Sequence, residues 1–171
     1  MNDGQLGLLA TAAPTLRAPT DLDPAAPWQS CGPAALAAVA GRQLAEIRRH
    51  LPHERGYMSP ADMQQALESA GFVVACREFA WPTFGVACIF WDGPWSAPGL
   101  PPGAALKHSH WIAVSLHDPR GGGECYDVNA ERVIYLDFWR RGFAHDLARH
   151  LEPRATGGWS LRRSFELTRR A

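Results

Sequence analysis

Apolar and polar positions follow helical patterns in the first part of the chain. Residues 31–40 are apolar on nearly every side, which predicts a buried central helix. Its start is marked by Ser30, which can cap free backbone N–H groups, and its end by Gly41. A second, short helix is predicted over 43–51. A serine cap, an early proline and a closing glycine predict a third helix over 59–71.

The pattern then changes to short apolar runs rich in β-branched and aromatic residues, which are typical of strands. Prolines and glycines between the second and third runs indicate a long loop, and a late stretch with apolar positions at helical spacing indicates one more helix. Helices first and an antiparallel sheet afterwards predict an α+β fold. The predicted strands are 72–76, 86–91, 110–116, 124–129 and 159–167; the loop is 92–106 and the late helix 136–151.

Length and charge restrict the possible functions. The chain has 171 residues, enough for one domain, which we place at 28–171 behind an extended or flexible arm at 1–27. Seventeen basic and seventeen acidic residues cancel, so nucleic acid and anionic membranes are not predicted partners. The longest fully apolar run, 33–40, is too short to span a membrane, and the first residues lack the basic region of a secretory signal. We therefore expect a cytoplasmic protein, with export by a dedicated secretion system left open. No cofactor is predicted.

The four cysteines do not form a Cys-x-x-Cys pair, which argues against a zinc ribbon or a thioredoxin motif. Cys76, Cys88 and Cys125 lie in strand-like runs, and we interpret them as small buried apolar residues. Cys31 differs because it lies in the first turn of the predicted central helix. The free N–H groups and the dipole at that end favour the thiolate, which is the nucleophilic form.

A nucleophilic cysteine needs a proton-carrying partner, and histidine is the residue that titrates near neutral pH. His110 opens a predicted strand, and Asp127 and Asn129 lie on the return strand of the same hairpin. Residues two apart on a strand share a face, so either of these two could orient the imidazole. The order Cys31, His110 and Asp127 or Asn129 therefore predicts a catalytic triad.

These segments resemble a known family. Papain-like cysteine peptidases, above all their bacteriocin-processing (double-glycine leader) branch, have a nucleophile helix similar to Cys31-Gly32-Pro33-Ala34-Ala35-Leu36. Their histidine strand is similar to 110–114, and the strand with the third triad member is similar to Tyr126-Asp127-Val128. The following residues, 133–142, resemble their post-catalytic helix. The resemblance spans roughly residues 28–145, and the related Josephin deubiquitinases, with a similar His-Trp strand, would favour Asn129 instead.

The resemblance implies a papain-like fold with the nucleophile helix packed on an antiparallel sheet and a cleft between them. The family places an oxyanion-binding glutamine several residues before the cysteine, whereas the only candidate here, Gln29, stands two residues before Cys31. The loop before the histidine strand would border the cleft, with Trp95 as part of its wall. The residues predicted to contact substrate are Trp28, Gly32, Trp95 and Trp111.

The predicted function is a thiol hydrolase acting on a peptide or amide bond of a peptide or protein substrate, through a thioester. A deamidase or acyl transferase would use the same chemistry, and a binding or assembly module would keep the fold without it. His108 and His110 form a His-x-His pair of the kind that binds zinc or copper, but no further ligand lies nearby in sequence, so no metal site is predicted. The pattern does not indicate an oligomeric state.

Overall fold

The computed structural model describes residues 14–101, 103–117 and 122–170. They form one six-stranded antiparallel sheet in the order β1-β6-β2-β3-β4-β5. The last strand in the chain therefore lies between the first and the second. The strands are β1 Phe72–Glu78, β2 Phe84–Trp91, β3 Ser109–Ser115, β4 Glu124–Asp127, β5 Arg132–Tyr135 and β6 Trp159–Arg169.

Short helices surround the sheet. Three of them precede it in the chain, one very short helix lies in the loop before β3, and a continuous helical segment follows β5. This last segment has a π-helical stretch in its middle. The helices are α1 Cys31–Ala40, α2 Leu44–Ile47, α3 Pro60–Ser69, α4 Gly103–Leu106, α5 Leu136–Phe138 and α6 Ala144–Leu151, with the π-helical stretch at Trp139–Phe143.

The sheet is covered on both faces because its central strands carry apolar side chains on both. Trp111 and Ala113 of β3 face the core that contains α1 and parts of α2 and α3. Ile112 and Val114 of the same strand face a second core, which contains Trp139 and the buried side of α6. The two cores are separated by the sheet itself, as the period-two alternation of a strand requires. The structure is thus α+β, as predicted.

Several predicted elements are confirmed. α1 begins at Cys31 and ends at Gly41, which adopts the left-handed conformation with φ 67°. α3 has the predicted cap, in which the Ser59 hydroxyl accepts a hydrogen bond from the Asp62 N–H at 3.1 Å. The predicted strands, the hairpin and the late helix are all present. Residues 1–13 of the predicted arm and 118–121 of the predicted hairpin turn lie outside the described residues.

Other local predictions are wrong. The Ser30 side chain does not cap α1, and its hydroxyl is buried without a hydrogen-bond partner among the described residues. Cys76 is exposed rather than buried, because β1 is an edge strand whose second half faces solvent. Residues 132–135 form a strand where the family resemblance implied the start of a helix. Asn129 lies in a short 3-10 turn and not on β4, so the strand argument that gave it and Asp127 a common face does not apply.

No helix in the described part of the chain has the length and apolarity needed to cross a bilayer. The longest α-helices there, α1 and α3, have 10 residues each.

The sheet centre depends on a close approach between β2 and β6 at Gly85. A Cβ atom at this position would lie 1.8 Å from the carbonyl oxygen of Phe165. Any side chain would push the two central strands apart, so we expect Gly85→Ala to lower the free energy of unfolding by about 3 kcal/mol. Urea unfolding followed by circular dichroism measures this change.

Gly142→Ala is the matched control for that substitution. Gly142 lies in the helical segment, and a Cβ there would meet no atom within 4 Å. Alanine is the better helix former, so we expect a gain of about 0.5–1 kcal/mol. Equal effects of the two substitutions would contradict the close approach of β2 and β6.

Candidate active site

The start of α1 places Cys31 at the end of the sheet. Cys31 is the first residue of this helix, is partly exposed and lines a cleft. Gly32 beside it is buried, and a Cβ there would lie 2.8 Å from the Met58 sulfur. Gly32 therefore allows the helix start to pack closely against Met58. The structure gives it this packing position rather than a place in the wall of the cleft.

His110 and Asp127 meet at the same end of the sheet, where β3 begins and β4 ends. Ala113 of β3 pairs with Tyr126 of β4, so Ile112 lies opposite Asp127. His110, two residues before Ile112, is therefore the diagonal neighbour of Asp127. The His110 Nε2 lies 2.9 Å from the Asp127 Oδ2. Both side chains are almost completely buried, at 3% and 0% exposure. The imidazole also stacks on Trp91, with ring centres 5.6 Å apart.

The Asp127 carboxylate is held by four donor groups. Besides His110, the Trp139 Nε1–H donates to Oδ2 at 2.7 Å. The other oxygen, Oδ1, accepts from the Asn129 backbone N–H at 2.9 Å and from its side-chain Nδ2 at 3.0 Å. Asn129 thus holds Asp127 and does not itself bond the imidazole. The structure therefore gives Asp127, and not Asn129, the third position of the predicted triad.

Trp139 is the functional candidate that the sequence analysis missed. The apolar spacing of its helix predicts that Trp139 is a core residue. The structure agrees, since the side chain is 0% exposed. Only the three-dimensional contact shows that its indole N–H shares a carboxylate oxygen with His110. A buried tryptophan needs a partner for this N–H, and that requirement is the only signal in the sequence.

Cys31 and His110 each favour the charged form of the other. Burial by itself would raise the pKa of the Cys31 thiol, but the charge and the hydrogen bond of His110, together with the Trp111 backbone, lower it below its ordinary value. Burial would also lower the pKa of His110, yet the charges of Asp127 and Cys31 and their hydrogen bonds raise it to about 10. Because Nε2 bonds Asp127, Nδ1 is the ring nitrogen that remains for the Cys31 sulfur.

Asp127 remains ionised behind this pair. Burial alone would raise the pKa of its carboxyl, but the charge and hydrogen bond of His110, followed by the donors from Trp139 and Asn129, lower it to about 2. A buried carboxylate with every lone-pair direction used cannot rotate freely. It therefore fixes both the orientation and the protonation of the imidazole.

The cleft beside Cys31 and His110 has a volume of about 470 Å³. Gln29 lines it together with Cys31. The Gln29 side-chain oxygen accepts a hydrogen bond from the Asp23 backbone N–H, which leaves its NH₂ group as the end available for a ligand. Gln29 therefore lies in the cleft despite its unusual position in the sequence.

The three predicted substrate-contacting tryptophans lie elsewhere. Trp111 is 2% exposed, donates to the Met58 carbonyl and stacks on Phe165 in the α1 core. Trp95 is packed in the opposite core, where its indole N–H donates to the Trp91 carbonyl at 2.7 Å. Trp28 is partly buried against the α1 core and lies under the Arg48 guanidinium. None of the three lines the cleft; Trp91, stacked on the imidazole, does.

The remaining cysteines and His108 have other environments. Burial raises the pKa of the Cys88 thiol to about 12 and raises that of Cys125 as well, so both are inert thiols. His108 stacks on Trp95 and bonds Glu152, while His110 bonds Asp127, so the two histidines do not converge. In residues 14–101, 103–117 and 122–170, no group of three His, Cys, Asp or Glu side chains is placed to hold a metal ion.

Comparisons with known proteins give no relative. No family model matches the chain, and searches of curated proteins and of solved structures find no match. The chemical interpretation of this site therefore depends on its geometry.

Proposed function

We propose that this protein is a cysteine-dependent hydrolase of peptide or amide bonds, with a papain-like arrangement of its site. The observation that carries the proposal is the series Cys31–His110–Asp127, in which each group affects the protonation of the next and the last two are buried. A thiolate paired with an imidazolium at a helix start is the activated state of a cysteine nucleophile. A structural cysteine does not require such partners.

The first half of the reaction forms a thioester. The Cys31 Sγ attacks the carbonyl carbon, and the carbonyl electron pair moves to its oxygen. When the tetrahedral intermediate collapses, the C–N bond breaks and the His110 imidazolium gives its proton to the leaving amine. Asp127 stabilises the imidazolium before this transfer and holds the ring in place during it.

Two donors can stabilise the oxyanion. One is the backbone N–H of Cys31, which is free because it lies at the start of α1. The other is the side-chain NH₂ of Gln29, whose oxygen is fixed by the Asp23 N–H. A preorganised donor of this kind contributes roughly 10²–10³-fold to the rate.

The second half of the reaction hydrolyses the thioester. The neutral His110 takes a proton from water as the water oxygen attacks the carbonyl carbon. The C–S bond then breaks, the carboxylic acid leaves, and the Cys31 thiolate is restored beside the imidazolium. Water enters through the open cleft, since Cys31 is partly exposed there.

The test is the turnover of a complex peptide library, with the products identified by mass spectrometry. We expect the wild-type protein to release cleaved peptides and Cys31→Ala to release none. Cys76→Ala is the matched control, because Cys76 is an exposed thiol on the edge strand β1 and should leave the products unchanged.

The products also distinguish the related reactions. Cleavage adds water and creates two new ends, deamidation leaves the peptide chain intact, and transfer adds the mass of a supplied amine. Product formation that survives Cys31→Ala, or none of these products with the wild-type protein, would overturn the proposal. The protein would then be studied as a binding module.

A further inference from the structure

The charged side chains that line the cleft, apart from the His110 imidazole, are acidic. Glu131 and Glu152 both border it, and no lysine or arginine does within the described parts of the chain. This excess is local, because the whole chain carries equal numbers of basic and acidic residues. The two carboxylates come from different elements, one just after β4 and the other at the end of α6.

Glu152 is held in place rather than free at the surface. Its Oε1 lies 2.8 Å from the Nδ1 of His108, whose ring is buried against Trp95. The Glu152 side chain is 24% exposed, so it reaches the cleft while it is anchored at one oxygen. Oε2 has no hydrogen-bond partner among the described residues and can accept a donor from a ligand. His108 thereby ties this carboxylate to the strand that carries His110.

Glu131 is held by its backbone. It lies two residues beyond Asn129 and adopts a left-handed conformation with φ 54°, which is uncommon for a residue with a side chain. Its N–H donates to the Val128 carbonyl and closes the turn. Glycine or asparagine would adopt this conformation at lower cost. The turn thus places Glu131 close to Asn129, whose side chain holds Asp127.

The triad adds a third carboxylate, that of Asp127, directly behind the His110 imidazole. Glu131, Glu152 and Asp127 thus place three carboxylates at or behind the wall of the cleft, and no lysine or arginine among the described residues lines it. A concave surface lined by one sign of charge concentrates ligands of the opposite sign.

We propose that the cleft selects peptide substrates that carry lysine or arginine next to the attacked carbonyl, and that Glu131 and Glu152 determine this selectivity. This inference rests on the proposed hydrolase function. It adds the class of substrate and two specificity-determining residues.

The first experiment compares matched fluorogenic peptides that differ only in arginine or citrulline beside the cleaved bond. Citrulline has nearly the shape of arginine but no charge. We expect the wild-type kcat/KM to favour arginine by about tenfold or more. Glu131→Gln and Glu152→Gln should each lower this ratio, and the double variant should bring it close to one. Glu78→Gln, an exposed carboxylate on the far edge strand, is the control and should leave the ratio unchanged.

The second experiment does not depend on catalysis. Methanethiosulfonate reagents of similar size, one cationic (aminoethyl) and one anionic (sulfonatoethyl), react with the Cys31 thiolate. We expect the rate ratio of cationic to anionic reagent at Cys31 to exceed that at the exposed Cys76 by about tenfold. The double glutamine variant should reduce this difference. Peptide mapping assigns the modification to each cysteine.

The outcomes separate the two proposals. Equal rates on arginine and citrulline peptides, with turnover that still requires Cys31, would overturn the inference and leave the hydrolase function standing. A glutamine variant that slows both peptides equally would also overturn it, because the residue would then have only a structural role. Failure of all peptide turnover together with a strong preference for the cationic reagent would reject the hydrolase. In that case the inference as stated fails with it, and only a cation-attracting cleft remains.

Discussion

Replacing His110 with alanine is expected to raise the pKa of the Cys31 thiol, which the wild-type fold lowers. In the wild-type protein the pKa of this thiol is below its ordinary value, because the charge and hydrogen bond of His110 overcome the effect of burial. Without the imidazole, burial and the nearby Asp127 carboxylate both act to raise it. The pKa should therefore move from below to above that of a free thiol, about 8.5.

Alkylation by iodoacetamide between pH 4 and 9 measures this change. Peptide-level mass spectrometry reports on Cys31 separately from the exposed Cys76, and a cysteine tripeptide in the same reaction supplies the free-thiol profile. The wild-type Cys31 profile should lie on the acidic side of this reference, and the His110→Ala profile on its alkaline side. His150→Ala, which removes an exposed histidine of α6, should behave as the wild type.

A Cys31 profile that coincides with the tripeptide in both proteins would exclude the ion pair. The proposed mechanism would then fail at its first step, because no activated nucleophile would exist before substrate binds. Slow modification only after unfolding would lead to the same conclusion.

Asp127→Asn is expected to reduce both activity and stability strongly. A carboxylate can accept all four of the hydrogen bonds found here, whereas an amide has only one accepting oxygen. The introduced amide would thus place its NH₂ group against another donor, either Asn129 or the pair His110 and Trp139. We expect a loss of roughly 10³–10⁴-fold in kcat, because the imidazole loses its orientation. Breaking the buried pair should also cost about 3 kcal/mol of unfolding free energy.

The pH dependence of stability tests the charge of Asp127 separately from its shape. Its pKa is lowered to about 2 in the folded protein, so its contribution to stability is complete above about pH 4 and is lost as the pH falls toward 2. The wild-type protein should lose stability across this range. Asp127→Asn should lose less, since it has no proton to bind there.

Trp139→Phe is a milder change at the same carboxylate than Asp127→Asn. It keeps an aromatic ring in the core but removes one of the two donors to Oδ2, while those from Asn129 remain. We expect a decrease in kcat that is clearly smaller than that of Asp127→Asn, with a shifted pH–rate profile. An unchanged profile would mean that Trp139 only fills space.

The sequence is sufficient to predict the part of the site that depends on local rules. The helix that begins at Cys31 follows from the apolar run 31–40 and the glycine after it, although the Ser30 cap does not form. The hairpin that brings His110 next to Asp127 follows from two strand-like runs joined by a glycine-rich turn. The choice between Asp127 and Asn129 does not, because it depends on where β4 ends and its 3-10 turn begins. Such a boundary of one or two residues changes which way a side chain points.

The sequence also does not predict which face of the sheet each tryptophan occupies. Trp111 stands next to His110, but adjacent strand residues point to opposite faces, and here Trp111 faces the α1 core. Both faces of the sheet are covered, so an apolar side chain gives no indication of which side it occupies. The role of Trp139 and the central position of β6 depend on contacts between distant parts of the chain, which no local pattern encodes.

The central position of β6 has a consequence for the order in which this protein can assemble on the ribosome. β1 pairs only with β6, and β2 reaches β1 only through it, so the sheet stays divided until residues 159–169 have emerged. Until then β2 presents an apolar, unpaired edge. Chaperones commonly bind such surfaces on nascent chains. The hairpin with His110 and Asp127 lies on the other side of β2 and can form before that moment. The strands that hold His110 and Asp127 can thus pair early, while the sheet as a whole is completed last.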